Sequence, residues 1–260
     1  MAGHGADVRG FVKIYQGRAD VYSKYRPRYP IGVLHALRRE IGFDRERVVA
    51  DIGSGTGILS ELFLENGNRV YCVEPSEDMR GAAEEKLRRY APRFISVNGT
   101  AEATTLRGGS IDLVAVGQAM HWFDAGKARA EFARILRKQG YVSIIYNHHR
   151  REGEVEEACG RVIEKFSKNR LARPEVDDAY VARFLRNREF KKFVMPNSQP
   201  LNLQEMLGRL ASIPYMPPPG NREWVDIEKE VRRIFDEHGS SGFVMLHYDT
   251  TLYLGRVTLG

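Results

Sequence analysis

The stretch at residues 47–60 constrains the fold of this chain more than any other. It begins with a short, mostly apolar run, Val48–Ile52, whose β-branched side chains predict a strand buried on both faces. Glycines then occupy every second position from 53 to 57, and a helical pattern of apolar residues begins at Ile58. A strand, a glycine-rich turn and a helix in this order form a ligand-binding crevice at the carboxyl end of a parallel strand. The chain is therefore predicted to be an α/β protein with a ligand site at this turn.

The spacing of the glycines distinguishes two kinds of ligand. A dinucleotide fingerprint is Gly-x-Gly-x-x-Gly, whereas this turn has Asp-x-Gly-x-Gly-x-Gly and begins at Asp51. A carboxylate at that place would repel a pyrophosphate but suits a ligand with an amine and a sulfonium. The pattern resembles motif I of the class I S-adenosylmethionine-dependent methyltransferases. A glycine-rich turn that binds no ligand is the alternative.

This resemblance implies a Rossmann-like three-layer α/β/α sandwich. Its seven-stranded sheet would be mostly parallel with an antiparallel last strand, and helical additions would cover the substrate side. It also implies S-adenosyl-L-methionine as cofactor, with S-adenosyl-L-homocysteine as product and no metal. Among the cofactor-binding residues it would include Asp51, Gly53, Ser54 and Gly55.

The rest of the chain fits this plan as one domain. Residues 1–46 would form an N-terminal arm and lid, 47–150 the cofactor-binding core, 151–242 the substrate-side helices with a sixth strand and a linker, and 243–260 the closing strand. Further strands are predicted at 69–73, 94–97, 111–116, 141–146, 190–195 and 243–257. Helices are predicted at 31–41, 58–66, 77–90, 125–137, 153–167, 176–186, 203–212 and 224–237, with Gly140 ending the one at 125–137.

Composition narrows the class of protein and its partners. No stretch approaches ~18 consecutive apolar residues, so no membrane span is expected, and residues 1–10 lack an apolar signal core. Cys72 and Cys159 match no disulfide or zinc spacing, so a cytoplasmic protein is expected. The net charge of +6 permits a polyanionic partner, but the basic residues are dispersed among acids. Nucleic acid is therefore possible but not favoured, and a monomer or homodimer is expected.

Acidic residues after the next two strands complete the predicted cofactor site. Glu74 ends the second strand 23 residues after Asp51, close to the ~20-residue offset at which a carboxylate takes ribose hydroxyls. Pro75 follows it, and Met79 is placed to pack under an adenine ring. The resemblance assigns Ala101 and Glu102 to the adenine amine; as an alternative, Glu102 is a helix N-terminal charge.

The fourth strand is followed by Gly-Gln-Ala-Met-His-Trp-Phe-Asp at residues 117–124, where catalysis is expected in this architecture. His-Trp-Phe-Asp resembles the methyltransferases related to the trans-aconitate and ubiquinone/menaquinone-pathway enzymes, and not the Asp/Asn-Pro-Pro-aromatic motif of DNA and RNA amino-methyltransferases. This assigns Gln118, Ala119, His121 and Trp122 to the cofactor. His121 is also a candidate general base or a structural histidine, and Trp122 a substrate wall.

Residues 22–30, Tyr-Ser-Lys-Tyr-Arg-Pro-Arg-Tyr-Pro, predict an irregular arm because two prolines deny a regular helix. Together with His-Trp-Phe-Asp, this arm resembles the trans-aconitate-like branch specifically. Either the arm only covers the sheet, or it is a lid in which Tyr15, Tyr25 and Arg28 contact the cofactor and Tyr15 and Tyr22 the substrate.

Three residues near the later strands are candidates for the acceptor side. Asn147 and His148 follow the fifth strand, and His148 is a second candidate base. Because adjacent histidines on an extended chain point to opposite faces, His148 and His149 make a poor metal pair. Tyr215 with Ser212 resembles a Ser-x-x-Tyr loop near the acceptor; a proline-rich linker is the alternative.

The sequence thus predicts a methyltransferase that moves a methyl group to a small-molecule acceptor, a carboxylate, hydroxyl, amine or carbon acid, by in-line displacement. The alternatives are a tRNA or rRNA methyltransferase and a non-catalytic S-adenosylmethionine-binding protein.

Overall fold

The computed structural model describes residues 17–150, 152–168 and 174–258. In chain order its regular elements are α1 (Ala19–Tyr25), α2 (Gly32–Ile41), β1 (Val48–Ile52), α3 (Ile58–Glu65), β2 (Arg69–Val73), α4 (Glu77–Leu87), β3 (Phe94–Val97), β4 (Ile111–Gly117), α5 (Ala125–Ile135), β5 (Leu136–His149), α6 (Glu154–Phe166), α7 (Asp178–Leu185), β6 (Lys191–Leu201), α8 (Leu203–Ala211), α9 (Trp224–His238) and β7 (Val244–Gly255). Short 3₁₀ turns lie at Arg88–Tyr90 and Met120–Trp122.

The strands form one seven-stranded sheet in the order β3-β2-β1-β4-β5-β7-β6. The first five are mutually parallel, and β7 runs antiparallel to both β5 and β6. Helices flank the sheet, whose central strands are apolar on both faces because each face is covered. This confirms the predicted Rossmann-like architecture and places the switch in strand order between β1 and β4, where ligands bind in open α/β sheets.

A further apolar cluster lies beside β7. Helices α6, α8 and α9 pack there against one face of β7, around Trp224, Ile227 and Tyr248. The helix α1, which the sequence did not predict, packs on α8. None of the helices in the described residues is long and apolar enough to cross a membrane.

The prediction that Gly140 ends a helix is wrong. Helix α5 already ends at Ile135, and β5 begins with the next residue, Leu136. Gly140 lies inside β5, where the pairing with β4 shifts register between Ile111 and Leu113. A β-carbon at Gly140 would lie 2.7 Å from the Leu136 side chain, so the glycine permits a close approach and does not stop a helix.

Candidate functional site

A cleft with a cavity volume of about 260 Å³ opens at the carboxyl ends of β1 and β4. One wall is the glycine-rich turn, and the opposite wall comes from α1, the end of β5 and the loop after α8. Its lining includes Tyr22, Arg26, Tyr29, Asp51, Gly53, Ser54, Gly55, Gln118, His121, Asn147, His149, Arg209, Tyr215 and Tyr248.

A smaller cavity of about 30 Å³ adjoins this cleft at Gly53, which lines both. Its other walls are Pro75, Thr100, Ala101, Glu102, Ala119, Trp122 and Phe123. Gly53 has a φ of 67°, and a β-carbon there would lie 2.8 Å from that of Ala119. The left-handed φ and this close approach both favour glycine at position 53.

Asp51 presents a buried carboxylate to the cleft. Its Oδ2 accepts a hydrogen bond of 2.6 Å from the Ser60 hydroxyl, while its Oδ1 has no partner among the described residues. The side chain is fully buried, and this burial raises the pKa of Asp51 to about 7. A buried carboxylate oxygen without a donor is suited to a cationic ligand group.

Other polar atoms of the same turn are arranged for a ligand. The hydroxyl oxygens of Ser54 and Thr56 are also buried without a partner among the described residues. Glu74 supports the turn, because its two oxygens accept backbone N–H bonds of 2.9 Å from Gly55 and Ser76. Burial raises the pKa of Glu74 to about 7. Each carboxylate oxygen keeps a second lone pair, but Glu74 is buried and lines neither cavity; the neighbouring Pro75 lines the smaller one.

His121 and Trp122 share one 3₁₀ turn but line different cavities. The His121 ring lies on the larger cleft, with Nδ1 3.1 Å from the Tyr146 hydroxyl oxygen. Trp122 lines the smaller cavity and stands 5.0 Å from the His121 ring, centroid to centroid. Gln118 also lines the cleft, and its side-chain amide donates to the Asn147 carbonyl.

Of the two residues predicted near the adenine, Glu102 lines a cavity and Met79 does not. Glu102 lines the smaller cavity, and one of its oxygens accepts the Asp124 N–H at 2.8 Å. Met79 is buried with Ala19 beneath the arm and lines neither cavity.

The arm contributes to the cleft through residues other than those predicted for the cofactor. Tyr22 lines the cleft, and the Arg26 guanidinium stacks over its ring at 4.7 Å. Arg28 points away from the cleft: its side chain is 65% exposed and donates to Glu61. Tyr25 does not line it either. The arm presents Arg26 because α1 continues to Tyr25, which fixes the direction of the next side chain. Tyr15 lies outside the described residues.

At the end of β5 the alternation of an extended strand selects the cleft residues. Asn147 and His149 line the cleft, as the opposite-face argument requires, whereas His148 lies on the face of Tyr146 and stacks on its ring at 5.8 Å. Burial lowers the pKa of His148. The predicted base His148 is therefore not among the residues that line the cleft, and the neighbouring His149 is.

Arginines tie the loop after α8 to the arm. Arg18 donates to the carbonyls of Ala211 and Ile213, and Arg26 donates to that of Ser212 at 2.8 Å. These are carbonyls at a helix C-terminus, which favour cations. The loop held in this way includes Tyr215, a predicted substrate residue, which lines the cleft.

Sequence reasoning missed Arg26, His149, Arg209 and Tyr248. For Arg209 a signal exists: it lies three residues after Met206 and next to Leu210, within the apolar face of an amphipathic helix. Within the described residues, no group of three or more His, Cys, Asp or Glu side chains is arranged to hold a metal ion.

Residues 50–144 match the family model described as a methyltransferase domain. An uncharacterized methyltransferase of Mycobacterium tuberculosis is 36% identical over 126 residues, which are 48% of this chain and 49% of that protein. The chain thus spans about half the length of the curated relatives it matches first. These matches show that the segment from β1 to β5 is similar to a methyltransferase domain.

Solved structures share the fold over almost the whole chain. A candidate type II methyltransferase from Anaeromyxobacter dehalogenans superposes with a TM-score of 0.67 at 24% identity, covering 91% of this chain and 100% of that one. The [4+2]-cyclase SpnF superposes with a TM-score of 0.57 at 11% identity, covering 100% of each chain. Such likeness establishes the fold and leaves the reaction to be argued from the site.

Proposed function

We propose that this chain is an S-adenosylmethionine-dependent methyltransferase with a small-molecule acceptor, of the branch that its arm and its His-Trp-Phe-Asp motif resemble. The observation that carries the proposal is the buried Oδ1 of Asp51, which has no donor among the described residues and faces a cleft beside a glycine turn. A buried carboxylate requires a partner, and the amine of the cofactor's methionine part is a fitting one.

The remaining residues fit the other parts of the same cofactor. Glu74, next to the wall residue Pro75, would hold the ribose hydroxyls, and Ala101, Glu102 and Trp122 at the smaller cavity would contact the adenine. Arg26 replaces Arg28 as the candidate for the methionine carboxylate, since its guanidinium is on the cleft and its Nε has no partner among the described residues.

Bound in this way, the cofactor supplies a methyl group on a positively charged sulfur. The chain's own task is to orient the acceptor in line with that group and to exclude water. For a hydroxyl, amine or carbon acid, His121 would take the proton, and the Tyr146 hydroxyl at 3.1 Å would fix its ring. A carboxylate acceptor needs no base, and positioning alone would suffice.

The size of the cleft supports a small acceptor over RNA. About 260 Å³ of space has to hold the cofactor's methionine part as well as the acceptor, and α1 and the loop after α8 border it. Because a cyclase shares the fold, the test has to follow methyl transfer and not cofactor binding alone.

The experiment incubates the protein with methyl-labelled S-adenosylmethionine and two extract fractions, one of small metabolites and one of RNA. We expect label in the small-molecule fraction, lost in the Asp51→Ala variant and retained in an Asp177→Ala control. Label only in RNA would overturn the acceptor class. Binding of S-adenosylhomocysteine, with no label in either fraction, would instead favour a non-catalytic binding protein.

A further inference from the structure

Arg209 is a buried cation on the wall of the cleft. It is 5% exposed, and burial lowers its pKa. Its Nη2 lies 2.8 Å from His149 Nε2, and its Nε donates to the Tyr248 hydroxyl at 3.4 Å. Its Nη1 is buried and has no hydrogen-bond partner within the described part of the chain. Among the described residues, no carboxylate is found in a salt bridge with this guanidinium, and no acid is among the groups that shift its pKa. Buried arginine without an anion is rare in proteins, because desolvation of the charge is uncompensated.

The neighbours of Arg209 do not neutralise it. Burial, together with Arg209 and Arg26, lowers the pKa of His149 to about 3, so its ring is neutral at physiological pH. His149 Nε2 can then only accept from Arg209, which leaves the proton on Nδ1. Tyr248 is buried, and its hydroxyl hydrogen goes to Gln199 Oε1 at 3.2 Å. Both neighbours orient the guanidinium and leave its charge in place.

The charges that line the cleft do not balance. Among the residues that the structure describes, its lining contains two arginines, Arg26 and Arg209, and one acid, Asp51. Under the proposed function, the cofactor's amine meets Asp51 and its carboxylate meets Arg26, which uses one cation and one anion of the protein. Arg209 has no counterpart in the cofactor. It contacts His149 and Tyr248, which are paired across β5 and β7, and it would face the acceptor.

We infer that the methyl acceptor carries an oxyanion, a carboxylate or a phosphate, and that Arg209 binds it through Nη1 while His149 and Tyr248 hold the guanidinium in position. This inference rests on the proposed function. It concerns binding of the acceptor and is separate from the atom that receives the methyl group. The tyrosine rings of Tyr22 and Tyr215 border the same space and would enclose the rest of the acceptor.

One test uses charge to sort the acceptor without knowing its identity. A small-molecule extract is passed over a strong anion-exchange resin, and each pool is assayed with methyl-labelled cofactor. We expect acceptor activity in the retained pool; activity confined to the unretained pool would overturn the inference. Phosphatase treatment of the retained pool separates the two sources, because it abolishes activity for a phosphate monoester and leaves it intact for a carboxylate.

A second test measures the anion site directly by calorimetry on protein saturated with S-adenosylhomocysteine. The probes are glutarate, its diamide and inorganic phosphate. Arg209→Gln should lower the affinity for the anion about 10- to 100-fold, because a charge-assisted hydrogen bond is lost. The affinity for S-adenosylhomocysteine should stay unchanged. Arg209→Lys should retain part of the affinity.

Two variants keep this test decisive if Arg209→Gln fails to fold. Tyr248→Phe removes one contact that positions Arg209 and should lower the affinity for the anionic probe alone. Arg26→Gln should instead lower the affinity for S-adenosylhomocysteine. Equal binding of glutarate and its diamide, with no phosphate binding, would overturn the inference. Failure of S-adenosylhomocysteine to bind at all would instead overturn the proposed function, whatever the anion probes do.

Discussion

Replacing Asp51 by asparagine should change stability and cofactor binding in opposite directions. The substitution keeps the shape of the side chain and can keep the contact with Ser60, but it removes a charge that is wholly buried. In the ligand-free protein that buried charge lowers the free energy of unfolding, whereas in the complex it would bind the ligand's amine.

The magnitude follows from the pKa of Asp51, which burial raises from 3.8 to about 7. At about 1.4 kcal/mol per pKa unit, this shift corresponds to about 4 kcal/mol. Between these two pH values the folded protein holds a proton that the unfolded chain has lost, so the free energy of unfolding falls as the pH rises. Asp51→Asn has no such titration. It should therefore be more stable than the wild type by up to about 4 kcal/mol at pH 8 and equal to it near pH 4.

Urea unfolding of the ligand-free protein at both pH values measures this difference. Calorimetry at pH 8 measures the effect on binding. The binding free energy of S-adenosylhomocysteine should weaken by about 1.5–3 kcal/mol, because a charged hydrogen bond is lost. Wild-type affinity should also rise with pH up to about 7, since binding requires the ionised carboxylate.

The matched control is Asp177→Asn, which removes the same charge from the exposed N-cap of α7, where asparagine caps equally well. We expect neither effect from it. The reasoning is refuted if Asp51→Asn lowers the stability of the ligand-free protein at pH 8, or if it leaves S-adenosylhomocysteine affinity unchanged.

Three further predictions concern other parts of the site. Glu74→Gln should weaken S-adenosylhomocysteine about 10-fold or more by calorimetry, because an amide is a poorer acceptor for ribose hydroxyls; equal affinity would remove Glu74 from the ribose. His121→Ala should lower turnover more than acceptor affinity if His121 is the base, and steady-state kinetics with equal losses would make it a packing residue. Gly208→Ala should destabilise the protein by about 1–3 kcal/mol, since a β-carbon would lie 2.3 Å from the Tyr25 ring. In thermal melts, Gly160→Ala, at a helical position with open space, should instead be neutral or stabilising.

The fold and the cofactor side were predictable because their signals are local. The strand, turn and helix at 47–60 fix the position of Asp51 and Gly53 within a few residues of sequence, and the parallel order of strands then brings Glu74 beside them. Strands β1 to β4 and helix α3 therefore began and ended close to their predicted bounds, whereas β5 begins five residues before its predicted start and ends three residues after its predicted end. The prediction that Gly140 ends a helix was wrong because a glycine that permits close packing looks the same in sequence as one that ends a helix.

The acceptor side was less predictable because it depends on contacts between distant segments. Alternation predicts that His148 and His149 face opposite ways, but only the pairing of β5 with β7 decides which of them meets the cleft. The choice of Arg26 over Arg28 depends likewise on a helix turn that tertiary packing supports. Arg209 needed the packing of α8 against the sheet before its burial could be recognised.

The position of β7, inserted antiparallel between β5 and β6, brings Tyr248 next to His149 although about a hundred residues separate them. The segment 50–144 that matches the methyltransferase model contains Asp51, Glu74 and His121, while Arg209 and Tyr248 lie beyond it. Under the proposed function, donor recognition and acceptor recognition would thus be carried by separate stretches of the chain. If this division holds, the second stretch could be exchanged in evolution, and the acceptor with it, while the first stretch is kept.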